Sequence, residues 1–246
     1  MSEYRDEEEQ MAQVDYDGMN DAEVYALMLL DEKPISRAKI IRLMLLANIQ
    51  LDLGLKFDKG YSKDVDEALE NLYQGGHCHC KDEGFYLSPY GEKVREIAVA
   101  QEFWAGIFIR CIRKSFPDAT GKDLVAITSY YYPDARDETI WGSVKPYIDQ
   151  IYIDGTPLSE YSKERFEENL GARHIKITRK GEGVEMNKGT EKKESDNNQM
   201  CCICAEKDRR IEVCGGDAKS VKCGSSKVPH RCPGFVPGNI PADRRE

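Results

Sequence analysis

The sequence predicts a mainly α-helical chain with one small β-hairpin, followed by a small cysteine-rich tail stabilised by metal. Three observations carry this. Apolar residues recur at helical spacing in VYALMLL, ISRAKIIRLMLLANI and YSKDVDEALENLY. A short alternating stretch, HCHCKDEGFYL, then turns at Asp82-Glu83-Gly84. Past residue 180 apolar residues thin out and cysteines cluster. Three helices and then a two-stranded wing is the order of a winged helix, so residues 21–100 are expected to form a winged-helix-like domain.

Each element has a local reason. Residues 1–20 are acidic without helical periodicity and read as a mobile leader. Asn20 or Asp21 caps a first helix near 22–31, and Pro34 cannot continue it. Ser36 caps a second helix near 36–50, with Ile40, Leu43, Met44 and Ala47 on one stripe and Arg37, Lys39 and Arg42 at an exposed start. Ser62 caps a third near 62–74, where Val65, Leu69 and Leu72 face inward and Asp64, Asp66, Glu67 and Glu70 face out. Gly75-Gly76 ends it. A hairpin near 77–88 follows, and alternation puts Cys78 and Cys80 on one face, His77 and His79 on the other. These four are read as ordinary wing residues, because one strand offers no second ligand pair.

From Ser88 onward the chain reads as a helical extension over residues 101–175. One long helix is expected from about residue 90 to Phe116, apolar on more than one side, with Cys111 in its core. GKDLVAITSYYY is a helix ended by Pro133, and its three tyrosines read as packing. DETIWGSVKPYIDQIY is a helix that Pro146 should break or kink, and SKERFEENLG closes at Gly171. GEGVEMNKGTEKKESDNNQ is a linker by composition, and residues 176–199 are expected to be disordered.

Residues 200–246 carry Cys201, Cys202, Cys204, Cys214, Cys223, His230 and Cys232 among few apolar residues. Such a segment cannot build a core, but a metal can order it. Cys201 and Cys204 form a C-x-x-C knuckle, glycine follows Cys214 and Cys223, and His230 stands beside Cys232. Cys201, Cys204, Cys223 and Cys232 are the first ligand set for a structural Zn²⁺, with Cys214 and His230 in reserve. Disulfides, an uncoordinated reduced tail and an iron–sulfur cluster are the alternatives.

The chain has 246 residues and a net charge of −9, which disfavours broad charge-driven binding to nucleic acid. No apolar run is long enough to span a membrane, and the acidic start is unlike a signal peptide, so a cytoplasmic chain is expected. Ser/His/Asp spacing, a phosphate-cradling glycine loop and H-E-x-x-H are all missing, so a non-enzymatic role is expected.

ALMLLDEKPISRAKIIRLMLL, FDKGYSKDVDEALENLY and GFYLSPYGEKV together resemble the Panacea-type, antitoxin-like winged-helix family. The resemblance rests on the Gly60-Tyr61-Ser62 entry to the third helix and the Tyr86-Leu87-Ser88-Pro89-Tyr90-Gly91 close. It departs from the family at Asp58-Lys59 and does not reach the cysteine tail. It implies a regulatory module that binds a protein, a toxin or an adaptor-like partner. The residue reading agrees, placing that partner on Asp64, Asp66, Glu67 and Glu70. The alternative is a nucleic-acid-binding regulator using Arg37, Lys39, Arg42, the wing, Lys176, Arg179, Lys180 and the basic tail.

Overall fold

A computed structural model describes residues 3–82 and 84–181. The cysteine-rich module and the linker from residue 182 lie outside the described residues. The described chain is mainly helical, with two small antiparallel sheets. Its helices are α1 Glu3–Gly18, α2 Asp21–Leu29, α3 Arg37–Leu51, α4 Lys63–Gln74, α5 Pro89–Gln101, α6 Phe103–Ser115, α7 Gly121–Tyr131, α8 Glu138–Ile148 and α9 Lys163–Asn169. The strands are β1 Ile35–Ser36, β2 Cys78–Lys81, β3 Gly84–Leu87, β4 Ile151–Ile153, β5 Thr156–Pro157 and β6 Ile177–Arg179.

The expected caps are present. Asn20 and Glu23 exchange bonds in a capping box at α2. Ser36, Ser62 and Ser88 each accept the backbone N–H three residues on. β3 runs antiparallel to both β2 and β1, so the first sheet has the order β1-β3-β2. The second has the order β5-β4-β6. One hydrophobic core joins the two regions, running from Ala12 through Leu27, Met44, Leu69 and Phe116 to Phe166 and Ile177.

Helix ends inside this core need partners for their last carbonyls. Basic side chains supply them. Arg113 donates to Leu29 O and Lys33 O, and Arg95 to Leu30 O, at and beyond the end of α2. Lys39 does the same for Phe116 O and Pro117 O beyond α6. Cations at helix C-termini also complement the macrodipole.

Several expectations are corrected. The expected leader is helical over residues 3–18: α1 lies against α5, and its Ala12 and Tyr16, one turn apart, are buried. The single long helix from residue 90 is two helices broken at Glu102. Its apolar residues lie on more than one side, and folding at the break lets each half bury its own stripe. Gly106 makes this possible, since a Cβ there would press on Val99. Pro146 does not break α8 at once; it sits in the last turn and the helix stops two residues later at Ile148. Residues 151 and 152, expected to continue that helix, belong to β4, and β6 lies within the stretch expected as linker. In the hairpin Cys78 and Cys80 pair with the buried Leu87 and Phe85, and His79 between them pairs with Tyr86; burial falls along the strand, so that Cys78 is buried while Cys80 and His79 are exposed.

The tyrosine run is packing. Tyr131 stacks on Phe166 and donates to Tyr161 O, and Tyr132 donates to Glu167. Among the described residues no helix is long and apolar enough to cross a membrane.

Candidate interaction surface

The helix α4 is strongly two-sided. Val65, Ala68, Leu69 and Leu72 are buried, and the opposite side carries Lys63, Asp64, Asp66, Glu67 and Glu70. Asp66 is half-buried and heavily used. Arg37 Nη1 of α3 donates to its Oδ1 at 2.6 Å, and the Tyr61 hydroxyl donates to its Oδ2 at 2.9 Å. That bond is the main reason the Tyr61 phenol is held above its ordinary value. A second Arg37 nitrogen lies 3.7 Å from Glu70, and Gln74 donates to Glu70 at 3.0 Å. Lys63 pairs with Glu67 one turn on at 3.0 Å.

The remaining surface is open. Asp64, Glu67 and Glu70 are exposed. Tyr61 at one end of the helix and Tyr73 near the other leave about half their surface in water, 47% and 48%. Four carboxylates face two cations, so the surface stays acidic, with an aromatic ring at each end. Aromatic side chains are enriched at protein interfaces, whereas carboxylates repel phosphate.

The second helix does not present the expected exposed basic start. Arg37 is engaged by Asp66 and Glu70. Lys39 spends its ammonium on the carbonyls beyond α6, and burial, then the nearby Arg113, lower its pKa. Arg42 is 7% exposed, reaches Thr128 Oγ1 at 3.4 Å, and is lowered by burial. The apolar period of α3 could not announce this, because the burying elements, α6 and α7, lie far along the chain. Arg179 is likewise held, by the Asp123 carboxylate.

Two polar clusters escaped the sequence reading. Asp123 is fully buried and bonded by Arg179, by the Tyr147 hydroxyl at 2.6 Å, and by Thr120 N–H and Oγ1, both at 2.7 Å. Burial pushes its carboxyl up; these bonds outweigh burial and hold it below the usual range. The Thr120-x-x-Asp123 spacing is a capping signal that the reading passed over, and nothing in the sequence signals the Arg179 partner. The other cluster joins Asp15, His77 and Tyr90.

Among the described residues no three His, Cys, Asp or Glu side chains are placed to hold a metal. Cys201, Cys204, Cys214, Cys223, His230 and Cys232 lie outside the described residues. Comparison with protein-family models, curated proteins and solved structures finds no match for the chain.

Proposed function

We propose that this chain is a non-enzymatic regulatory module of antitoxin-like winged-helix type that binds a protein through α4, with a structural Zn²⁺ in its cysteine-rich tail. The carrying observation is the order α2, β1, α3, α4, β2, β3 together with the sheet order β1-β3-β2. In a winged helix that reads DNA, the helix in the place of α4 enters the major groove. Here that helix offers carboxylates, with the half-exposed Tyr73 on it and Tyr61 just before it, which suits a basic protein partner of toxin or adaptor type. The donor set of the tail, five cysteines spaced for ligation and His230, fits zinc in kind and offers more than the four ligands one ion needs. Zinc held so would order the tail and leave no open position for catalysis.

One observation favours a second reading, a nucleic-acid-binding regulator. Residues 218–232 hold Lys219, Lys222, Lys227 and Arg231 and no carboxylate. Titrating the full chain with generic duplex from about 50 to 200 mM salt separates the two. The protein-partner reading expects weak binding with little salt response. An affinity falling about a thousandfold over that range would establish phosphate contact and favour the second reading.

A further inference from the structure

The open side of α4 is a row of like charge. Asp64, Glu67 and Glu70 are exposed and stand three residues apart, so their carboxylates share one side over about 9 Å of helix. The polar contacts of the row leave it acidic: Lys63 pairs with Glu67 at 3.0 Å, and Glu70 takes Gln74 at 3.0 Å and Arg37 at 3.7 Å. Tyr61 and Tyr73 close its ends, each with about half its surface in water. A ring so placed takes a cation on its face. The described residues use that contact already: Lys122 lies 4.0 Å over Tyr147, Lys163 4.6 Å over Tyr132 and Arg165 4.7 Å over Tyr161.

The chain supplies the complementary segment. Although its net charge is −9, residues 218–232 carry Lys219, Lys222, Lys227 and Arg231 and no carboxylate. This stretch lies outside the described residues, but the point where the chain leaves them is fixed. Arg179 of β6 is held by Asp123 in the first turn of α7, and Lys180 N–H donates to Gln150 O at 2.8 Å. In the same turn of α7, a Cβ on Gly121 would stand 3.0 Å from Ala38 Cβ of α3. Ala38 follows Arg37, which donates to Asp66 of α4 at 2.6 Å. Consecutive contacts thus link the exit, the start of α3 and α4. Residues 182–217 reach at most about 120 Å at full stretch, against a breadth of about 40 Å for a domain of this size.

From this arrangement we infer that residues 218–232 dock on α4 of their own chain and cover the surface that a basic partner would use. Lys219, Lys222, Lys227 and Arg231 answer Asp64, Glu67, Glu70 and the faces of Tyr61 and Tyr73. Joining the two in one chain makes docking intramolecular, at an effective concentration on the order of millimolar, so a weak ionic contact is enough to occupy the surface. A partner then binds only the undocked fraction, and its apparent affinity falls by that fraction. The contact in cis requires no partner; its consequence rests on the reading of α4 as a surface for a basic protein.

Zero-length carbodiimide cross-linking of the full chain at about 50 mM salt, read by mass spectrometry, tests the contact. Amide links from Lys219, Lys222 or Lys227 to Asp64, Glu67 or Glu70 are expected. Their yield should hold on dilution of the protein and fall at about 500 mM salt, where exposed charges are screened. Links no more frequent at α4 than at the exposed Asp17 and Glu32 overturn the inference. A yield that falls with dilution does so too, since it places the segment on a second copy. A free peptide of residues 218–232, kept reduced, reads the consequence. It should bind the variant Lys219→Gln, Lys222→Gln, Lys227→Gln, Arg231→Gln about twofold tighter than the wild type if α4 is covered half the time, and about tenfold tighter if it is covered nine-tenths of the time. These substitutions leave every cysteine and histidine in place. Equal affinity of the peptide for the two overturns the covering. The cross-link forms without a partner, so its failure and a failure of α4 to capture a basic protein are separate results.

Discussion

Arg37 on α3 donates to Asp66 on α4 at 2.6 Å, joining the basic and acidic surfaces that a reading of the sequence sets against each other. The pair spends a partly exposed cation of α3 and takes one carboxylate out of the α4 surface. What stays open is Asp64, Glu67, Glu70, Tyr61 and Tyr73. Arg37→Ala should therefore cost little stability, under about 1 kcal/mol, because the guanidinium is partly solvated. It should leave affinity for a basic partner equal or higher. Urea denaturation and binding of the variant check both, and weaker duplex binding would point to the nucleic-acid reading instead.

Asp123→Asn should be far more costly. It removes the buried charge that answers Arg179 and replaces one of the two oxygens that accept from Tyr147 and Thr120 by an amide donor. Breaking one partner of a buried pair costs about 3–5 kcal/mol. The Asp123 pKa is depressed, so its contribution is present above the usual carboxylate value of 3.8 and is lost as pH falls through the folded value. Wild-type stability should show an acid limb there that the variant lacks, measured by urea midpoints across pH.

Gly91→Ala tests the hairpin-to-α5 junction. A Cβ at Gly91 would collide with the backbone carbonyl of His77, which cannot rotate away because it accepts Ser88 N–H. A loss of about 3 kcal/mol or more is expected. Gly76→Ala meets no atom, and its cost is limited to the left-handed backbone, φ 75°, about 1 kcal/mol. Thermal melts of the two variants side by side check the order.

Metal should be confined to the tail. Structural zinc contributes on the order of 10 kcal/mol to ordering such a segment. Chelation should release about one Zn²⁺ per chain and leave the melt of the helical domain in place. Cys204→Ser and Cys223→Ser should each abolish retention, whereas Cys78→Ser should not, since burial raises the Cys78 thiol to about 12 and leaves it a poor ligand. Elemental analysis of freshly purified protein reads this directly.

How much of the fold was legible depended on how local its cause is. Ser36, Ser62 and Ser88 cap helices through bonds three residues away, so α3, α4 and the start of α5 could be placed to within a residue or two. β1 is two residues long and exists because β3 lies beside it, which no periodicity announces. The break at Glu102 and the seating of α1 are decisions of the tertiary core. The site was legible in half. The side of α4 that faces out followed from Val65, Leu69 and Leu72, but the burial of Arg42 and the capping role of Lys39 come from α6 and α7, some seventy to ninety residues on.

The most direct test of the α4 proposal is affinity capture from an extract of the source cells. It compares the full chain with the triple variant Asp64→Lys, Glu67→Lys, Glu70→Lys. Asp66 is spared because Arg37 holds it. The three positions are exposed, so the melting temperature should hardly move. A basic protein retained by the wild type and lost from the variant is the predicted result. A set of captured proteins that is unchanged by the triple reversal would contradict the account and leave the α4 surface merely solvated.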